Sequence, residues 1–132
     1  MKVVITGGGG FLGSQLCQKL QNKRTLVGPS GVQEKIDEIV LFDIGFPEPA
    51  SFGPDRVQSD TQEGAVDDST GLSLHQITGD MGDRDAVFSL IDRDDVAAFH
   101  LASMVSGECE QHFEDALHAN LDGGRYLLEA LR

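Results

Sequence analysis

The chain has 132 residues and a net charge of −12, with 22 acidic against 10 basic residues. This excess of negative charge repels phosphate backbones and anionic lipid surfaces, so we expect neither nucleic acid nor a membrane as a partner. The length suits a single domain, and a hydrophobic content of 39% suits an ordinary globular core. Short apolar runs, no signal peptide and only two cysteines predict a cytoplasmic protein without a disulfide or a membrane span.

The chain opens on Lys2–Thr6, a run of consecutive β-branched residues that is typical of a fully buried strand. Four glycines follow, and a helix is predicted over residues 11–20, because its apolar residues recur at helical spacing: Phe11, Leu12, Leu16 and Leu20. The polar stretch over residues 21–33 is predicted as a loop. A second buried strand is predicted over residues 39–42, ending at Asp43.

Residues 44–78 are predicted as a long loop insertion within the domain, since proline, glycine and small polar residues dominate the stretch. Residues 50–72 form its predicted mobile surface part, and residues 74–77 form a short third strand. A helix is predicted over residues 84–91, a fourth buried strand over 96–102, and a helical region over 109–132 with an interruption at Gly123-Gly124. This alternation of strands and helices predicts an α/β fold with a parallel sheet and helices on both faces.

The glycines between the first strand and the first helix predict a binding site for a diphosphate. Free backbone N–H groups and the positive end of the helix dipole meet there, and a diphosphate reaches them only where no side chain intervenes. Two registers fit: Gly8, Gly10 and Gly13 as G-x-G-x-x-G, or Gly7, Gly10 and Gly13 preceded by Thr6 as T-G-x-x-G-x-x-G. Because the motif follows a strand and opens a helix, it favours a Rossmann-type, doubly wound dinucleotide-binding domain over a turn without a ligand.

Asp43 is the second marker of a dinucleotide site. An acid at the end of the second strand binds the ribose hydroxyls of the adenosine, although the spacing here exceeds the usual ~20 residues. A carboxylate in that place repels a 2′-phosphate, so we predict NAD rather than NADP as the cofactor. The alternative is a solvated turn aspartate that opens the following loop.

Four segments in chain order resemble motifs of the extended short-chain dehydrogenase/reductases, the NAD-dependent epimerase/dehydratase family. They are TGGGGFLG from Thr6, GDM from Gly79, HLAS from His100 and NLDG from Asn120. The resemblance implies a cofactor site made, together with Asp43, of Thr6, Gly7, Gly10, Phe11, Leu12, Gly13, Asp80, Met81, Leu101, Ala102, Ser103 and Asn120.

Each of the later motifs also has a purely structural interpretation. Asp80 suits the adenine amino group but equally suits a turn or a helix cap. Leu101 and Ala102 suit a flat ring lying close to the backbone, and equally suit ordinary sheet packing. Asn120 suits a water or carbonyl partner inside the fold, or an exposed position on a helix.

A narrower resemblance, to the D-erythronate dehydrogenases, lies in IDEIVLFD and in the stretch from His100 to Arg132, with much of it in Val105-Ser106-Gly107. It implies hydride transfer from a hydroxyl of a sugar acid to NAD in a full-length parent. A nucleotide-sugar epimerase or dehydratase and a nucleotide-binding module without chemistry both remain open.

No catalytic residue and no metal site are predicted. The family's chemistry uses a Tyr-x-x-x-Lys pair, but the single tyrosine, Tyr126, has Ala130 at the lysine position and is interpreted as a packing residue. The four histidines lack metal-ligating spacing. Since the chain ends where the family's fifth strand would begin, we expect cofactor binding without turnover, and self-association through an exposed strand edge.

Overall fold

The computed structural model describes residues 1–28, 31–47, 65–67 and 71–132. In chain order the elements are β1 (Lys2–Thr6), α1 (Phe11–Lys23), β2 (Thr25–Val27), β3 (Gln33–Lys35), β4 (Glu38–Asp43), β5 (Ala65–Asp67), β6 (Leu72–Thr78), α2 (Arg84–Ser89), β7 (Val96–His100), α3 (Ser106–Gln111), α4 (Phe113–Ala116), a π-helical turn (Leu117–Asp122) and α5 (Gly123–Ala130).

Five strands form one sheet in the order β5-β6-β4-β1-β7. β6, β4, β1 and β7 run parallel, and only β5 is antiparallel to its neighbour. The predicted α/β fold with a four-stranded parallel sheet of the Rossmann type is therefore confirmed. β4 and β6 lie on one side of β1, and β7, which comes later in the chain, lies on the other side. The strand order therefore reverses its direction at β1. In open α/β sheets ligands bind outside the carboxyl ends of the strands at such a switch point.

β1 lies at the centre of the sheet, and its apolar side chains enter two separate cores. Val3 and Ile5 pack on one face with Cys17 and Leu20 of α1. Val4 packs on the other face with residues of α2 and α5, among them Val87 and Leu127. Because both faces are covered by helices, β1 is a run of consecutive apolar residues rather than an alternating strand.

The buried side of α1 agrees with the predicted one at Leu16 and Leu20 and differs from it at Phe11 and Leu12. Phe11 and Leu12 are each 67% exposed, and the residues that face the sheet are Gly13, Ser14, Cys17 and Leu20. Gly13 lies directly against the carbonyl of Gly7. The small residues therefore let the helix approach the glycine turn closely, and the large side chains of the first turn point outward.

Residues 21–33 are not the loop that the composition predicts. α1 continues to Lys23, and β2 and β3 pair as an antiparallel two-stranded sheet. Thr25 Oγ1 donates to Gln33 Oε1 across this pair at 2.7 Å. Two strands of three residues each are too short to show a period of two in the sequence, which explains the wrong prediction.

Most of the predicted insertion at 44–78 lies outside the described residues, including the larger part of the predicted mobile stretch at 50–72. Its last seven residues are β6, which extends the predicted third strand at both ends. The helical path also continues through Gly123 and Gly124, contrary to the predicted interruption. Gly123 is buried against Met81, so the glycine serves close packing and does not end the helix.

The amino ends of the parallel strands carry a network of paired charges. Lys2 Nζ, whose side chain is 4% exposed, lies 2.8 Å from Asp92 and 3.6 Å from Glu38. Arg93 pairs with Asp37 and with Asp95. Burial raises the pKa of Asp37, but hydrogen bonds from Arg93 and the Met1 amino group outweigh it and bring that pKa below its ordinary value. This charged end is the opposite end of the sheet from the glycine turn.

No helix in the described part of the chain is both long and apolar enough to cross a bilayer. Among the same residues, no group of three or more metal-ligating side chains comes together.

Candidate functional site

A cleft opens at the carboxyl end of the sheet, between the glycine turn and the segments that follow β4, β6 and β7. Eight of the predicted site residues line it: Gly7, Gly10, Asp43, Asp80, Met81, Leu101, Ala102 and Ser103. The remaining predicted residues are Thr6, Phe11, Leu12, Gly13 and Asn120, which lie around the cleft without being part of its lining. The parallel topology thus gathers segments that are far apart in the sequence.

The backbone of the turn shows why its glycines are needed. Gly7 has a φ of +72°, in the left-handed region that favours glycine. A Cβ on Gly7 would lie 2.7 Å from the backbone nitrogen of Ala102, and a Cβ on Gly8 would lie 2.7 Å from Leu41 Cβ. A Cβ on Gly13 would overlap the Gly7 carbonyl oxygen. Packing therefore demands glycine at the first position of both predicted registers, and both stay compatible with the turn.

Gly10 differs from its neighbours because packing does not require a glycine there. Its φ of −74° and ψ of 171° are open to any residue, and a Cβ would meet only the Gly7 carbonyl oxygen, at 3.3 Å. Gly10 caps α1, and no side chain caps the first turn of that helix. The first backbone N–H groups of a helix lack intrahelical partners, so this end of α1 presents donors and a positive dipole end beside open space.

Thr6 does not line the cleft, but it binds the backbone segment that forms one of its walls. The residue is fully buried, and its Oγ1 accepts hydrogen bonds from the backbone N–H groups of Leu101 at 3.2 Å and Ala102 at 3.3 Å. The same Oγ1 lies 2.7 Å from His100 Nδ1. His100 was not among the predicted site residues, and the sequence signal that could have found it is its position in the HLAS motif.

Asp43 connects the glycine turn to the end of β6. Its Oδ2 accepts from the backbone N–H of Gly9 at 2.9 Å, and its backbone oxygen accepts from the N–H of Gly79 at 2.9 Å. The side chain is half-buried and lines the cleft. Asp43 is therefore fixed in the cleft by its bond to Gly9 and is only partly exposed to solvent, whereas the alternative interpretation has a fully solvated turn aspartate.

Asp80 is an exposed turn residue whose Oδ1 accepts from the Gly82 N–H at 2.8 Å. It does not cap α2, because Asp83 accepts from the first-turn N–H groups of that helix. Met81, next in the chain, is 4% exposed and belongs mainly to the core beneath the cleft.

Asn120 lies in the π-helical turn, and its side-chain amide makes two hydrogen bonds to the segment after β7. Its Oδ1 accepts from the Met104 N–H at 2.7 Å, and its Nδ2 donates to the Met104 carbonyl at 3.1 Å. The amide group thus binds a backbone carbonyl while the residue itself is exposed on a helix, so Asn120 shows features of both predicted interpretations. Met104 and Ile44, which the sequence analysis did not single out, line the cleft directly.

The lining contains no lysine or arginine among the described residues, and its two charged members are the acids Asp43 and Asp80. Lys35, the basic residue closest to Asp43 in the sequence, lies in β3 next to the amino end of β4. An anion in this cleft would therefore depend on backbone N–H groups. Tyr126 packs half-buried against the core that contains Leu127, in keeping with its interpretation as a packing residue.

The sequence profile of the NAD dependent epimerase/dehydratase family matches residues 3–132. The D-erythronate dehydrogenase of Cupriavidus necator is 36% identical over 132 residues, which are 100% of this chain and 35% of that protein. The structure of a nucleoside-diphosphate-sugar epimerase from Agrobacterium tumefaciens superposes with a TM-score of 0.71 at 28% identity, over 100% of this chain and 32% of that one.

MoeE5 in complex with UDP-glucose and NAD is similar with a TM-score of 0.59 at 25% identity, over 98% of this chain and 32% of that one. The chain therefore spans only about a third of the length of each of these relatives. Within that span the profile match is nearly complete, and three of the four sequence motifs contribute residues to the cleft lining. The chain belongs to the NAD dependent epimerase/dehydratase family.

Proposed function

We propose that the cleft binds NAD, and that the chain is the dinucleotide-binding part of an NAD-dependent sugar-acid dehydrogenase. The observation that carries the proposal is Gly10: a glycine that the packing of the fold does not require, placed at the uncapped start of α1 beside open space. A diphosphate on the backbone N–H groups at the start of α1 would account for the missing side chain, since the N–H groups of Gly8, Gly9 and Gly10 already donate within the chain.

The other groups around the cleft suit the two ends of a dinucleotide. Asp43 Oδ1 makes no hydrogen bond to a described residue and would accept from the ribose hydroxyls. Asp80 would accept from the adenine amino group. Leu101, Ala102 and Ser103 would lie along the remainder of the cofactor. The acidic lining and the position of Lys35 in β3, before the amino end of β4, support NAD over NADP, whose 2′-phosphate the carboxylates would repel.

Bound NAD supplies a hydride acceptor, and the residues described here bind and orient it. No tyrosine or lysine is part of the described lining, so we assign the proton transfer of a dehydrogenase reaction to none of these residues. The sugar-acid class of substrate is supported by the 36% identity to a D-erythronate dehydrogenase. A nucleotide-sugar epimerase is the second candidate, favoured by the 0.71 TM-score to such an enzyme.

Calorimetric titration of the 132-residue chain with NADH tests the proposal. We expect saturable binding, and we expect Gly10→Ala to weaken it by about tenfold or more, equivalent to about 1.4 kcal/mol, because the methyl group occupies the diphosphate position. The melting temperature should fall only slightly: the new Cβ makes one tight contact, with a backbone oxygen at 3.3 Å, and alanine caps a helix less well than glycine.

Gly107→Ala is the matched control, because a Cβ at Gly107 in α3 meets nothing within 4 Å. It should bind NADH as the unmodified chain does. A folded chain that takes up no NADH, or a Gly10→Ala variant with unchanged affinity, would contradict the proposed function.

A further inference from the structure

We propose that His100 is a positioning residue for the dinucleotide site: its neutral imidazole accepts the Thr6 hydroxyl proton and thereby holds the segment after β7 against the glycine turn. The proposal rests on the proposed function, because the consequence for binding is measured with NAD. The hydrogen-bond arrangement itself can be tested on the protein without any ligand.

The hydrogen-bonding capacity of Thr6 dictates the direction of its bond to His100. A threonine hydroxyl offers one proton and two acceptor lone pairs. The N–H groups of Leu101 and Ala102 can only donate, and both reach Thr6 Oγ1, although that of Leu101 is shared with the Thr6 backbone oxygen at 3.1 Å. The hydroxyl proton is then directed to the remaining partner, His100 Nδ1 at 2.7 Å, which must accept it. The imidazole is therefore neutral, with its proton on Nε2.

Protonation of His100 would reverse this arrangement. Nδ1 would then carry a proton and donate to Thr6 Oγ1, which would place three donors on one oxygen and leave the hydroxyl proton without an acceptor. Thr6 is fully buried, so no bulk water is at hand to take that proton. A buried polar group without a partner is costly, and the bonds to the two backbone N–H groups would weaken.

These bonds matter to the cleft because of what Leu101 and Ala102 contact. Both residues line it, and their backbone lies close enough to Gly7 that a single methyl group there would overlap it. Thr6, His100 and Gly7 thus fix one wall of the cleft relative to the turn that would hold the diphosphate. Loosening of the wall by protonation should lower dinucleotide affinity.

The surroundings of His100 favour its neutral form. His100 is exposed as a whole residue, but partial desolvation of its ring lowers its pKa below the ordinary value, and no charged group contributes to the shift. From β1 it meets the uncharged Thr6, and from α5 the backbone of Gly124, where an added Cβ would lie 3.6 Å from Nε2. The charged residues at the start of α5, Asp122 and Arg125, pair with each other at 3.3 Å.

NMR of the ligand-free chain tests the hydrogen bond. We expect the chemical shifts of the His100 ring nitrogens to indicate the tautomer in which Nε2 carries the proton and Nδ1 carries none. We also expect Thr6→Val to raise the pKa of His100, because it removes a bond that stabilises the neutral ring, and Thr6→Ser to restore the original titration. A proton on Nδ1 in the unmodified chain at pH 8 would overturn the proposal, even if Thr6→Val failed to fold.

The effect on binding is read from calorimetric titration with NAD between pH 8 and pH 5.5. Affinity should fall as the pH drops through the pKa of His100, with a limiting slope of about tenfold per pH unit for one proton. His100→Gln presents an amide oxygen that does not titrate, so the NAD affinity of this variant should stay constant over the same pH range. His75→Gln, on β6 next to Glu38, is the matched control and should keep the original slope.

The role of His100 is overturned if the unmodified chain binds NAD with an affinity that does not change with pH, or if the His100→Gln variant keeps the full pH dependence. The proposed function stands in both cases. A chain that binds no NAD at pH 8 contradicts the proposed function instead. In that case the NMR titration still decides whether Thr6 donates to His100.

Discussion

At the scale of single residues, we propose that Asp43 has a separate task for each of its carboxylate oxygens. Oδ2 accepts from the Gly9 N–H and ties the end of β4 to the glycine turn. Oδ1 makes no bond to a described residue and is the atom that would discriminate between the two dinucleotides. A substitution that keeps one oxygen and removes the charge can therefore separate structure from specificity.

We predict that Asp43→Asn narrows the preference of the chain for NADH over NADPH by about tenfold. The amide retains an oxygen for the Gly9 N–H, so the fold should persist, while the repulsion of a 2′-phosphate disappears. The ratio of the two dissociation constants from calorimetry measures the effect. Asp94→Asn, an exposed acid just before β7, is the control, and an unchanged ratio in Asp43→Asn would show that this carboxylate does not select the cofactor.

At the scale of elements, two adjacent glycines in α5 have opposite surroundings. A Cβ on Gly123 would lie 2.7 Å from Met81 Cβ and 3.0 Å from the Met81 carbonyl oxygen. A Cβ on Gly124 would make only ordinary contacts, at 3.6 Å and beyond, with the ring of His100. The first glycine therefore sets how closely α5 approaches the segment after β6, and the second does not.

Gly123→Ala should lower the free energy of unfolding by about 1–3 kcal/mol, because the packed neighbour is partly backbone and cannot move aside cheaply. Gly124→Ala should raise it by up to about 1 kcal/mol through helix propensity. Urea denaturation of the two variants provides the comparison, each serving as control for the other. Equal effects of the two substitutions would contradict the role given to Gly123.

At the scale of the whole molecule, apolar surface remains uncovered on the side of β7 and the last helices. No strand in the described part of the chain pairs with the outer edge of β7. Along α4, the π-helical turn and α5, the exposed large apolar residues are Phe113, Leu117, Leu121 and Leu128. Exposed strand edges and contiguous apolar patches of this kind favour contact with another chain.

We therefore keep the prediction that the chain self-associates at micromolar concentration. Association should strengthen with added salt, because salt screens the repulsion between chains that each carry a net charge of −12. Leu121→Lys should weaken the association, whereas Val27→Lys, at an exposed residue of β2, should leave it unchanged. Light scattering measures the mass, and a monomer at every salt concentration would count against the prediction.

The sequence by itself determined the strand β1, the glycine turn, the acid at the end of β4 and the parallel order of the main strands. These features are local: consecutive β-branched residues indicate burial on both faces, and glycines beside a strand and a helix indicate a close approach. It did not determine what each glycine of the turn contacts, because both glycine patterns satisfy the same local rules. The contact of Gly7, for example, is with a backbone segment more than 90 residues later.

Only the tertiary structure decided the exposure of Phe11 and Leu12, the clamp of Asn120 on Met104 and the bond between Thr6 and His100. The apolar period of α1 revealed Leu16 and Leu20 but not the buried side of the first turn, because the closest approach to the sheet there belongs to Gly13 and Ser14. Thr6 and His100 are 94 residues apart, and parallel pairing of β1 with β7 places them opposite each other. A hydrogen bond of that kind leaves no trace in local spacing, since its partners become neighbours only when the sheet forms.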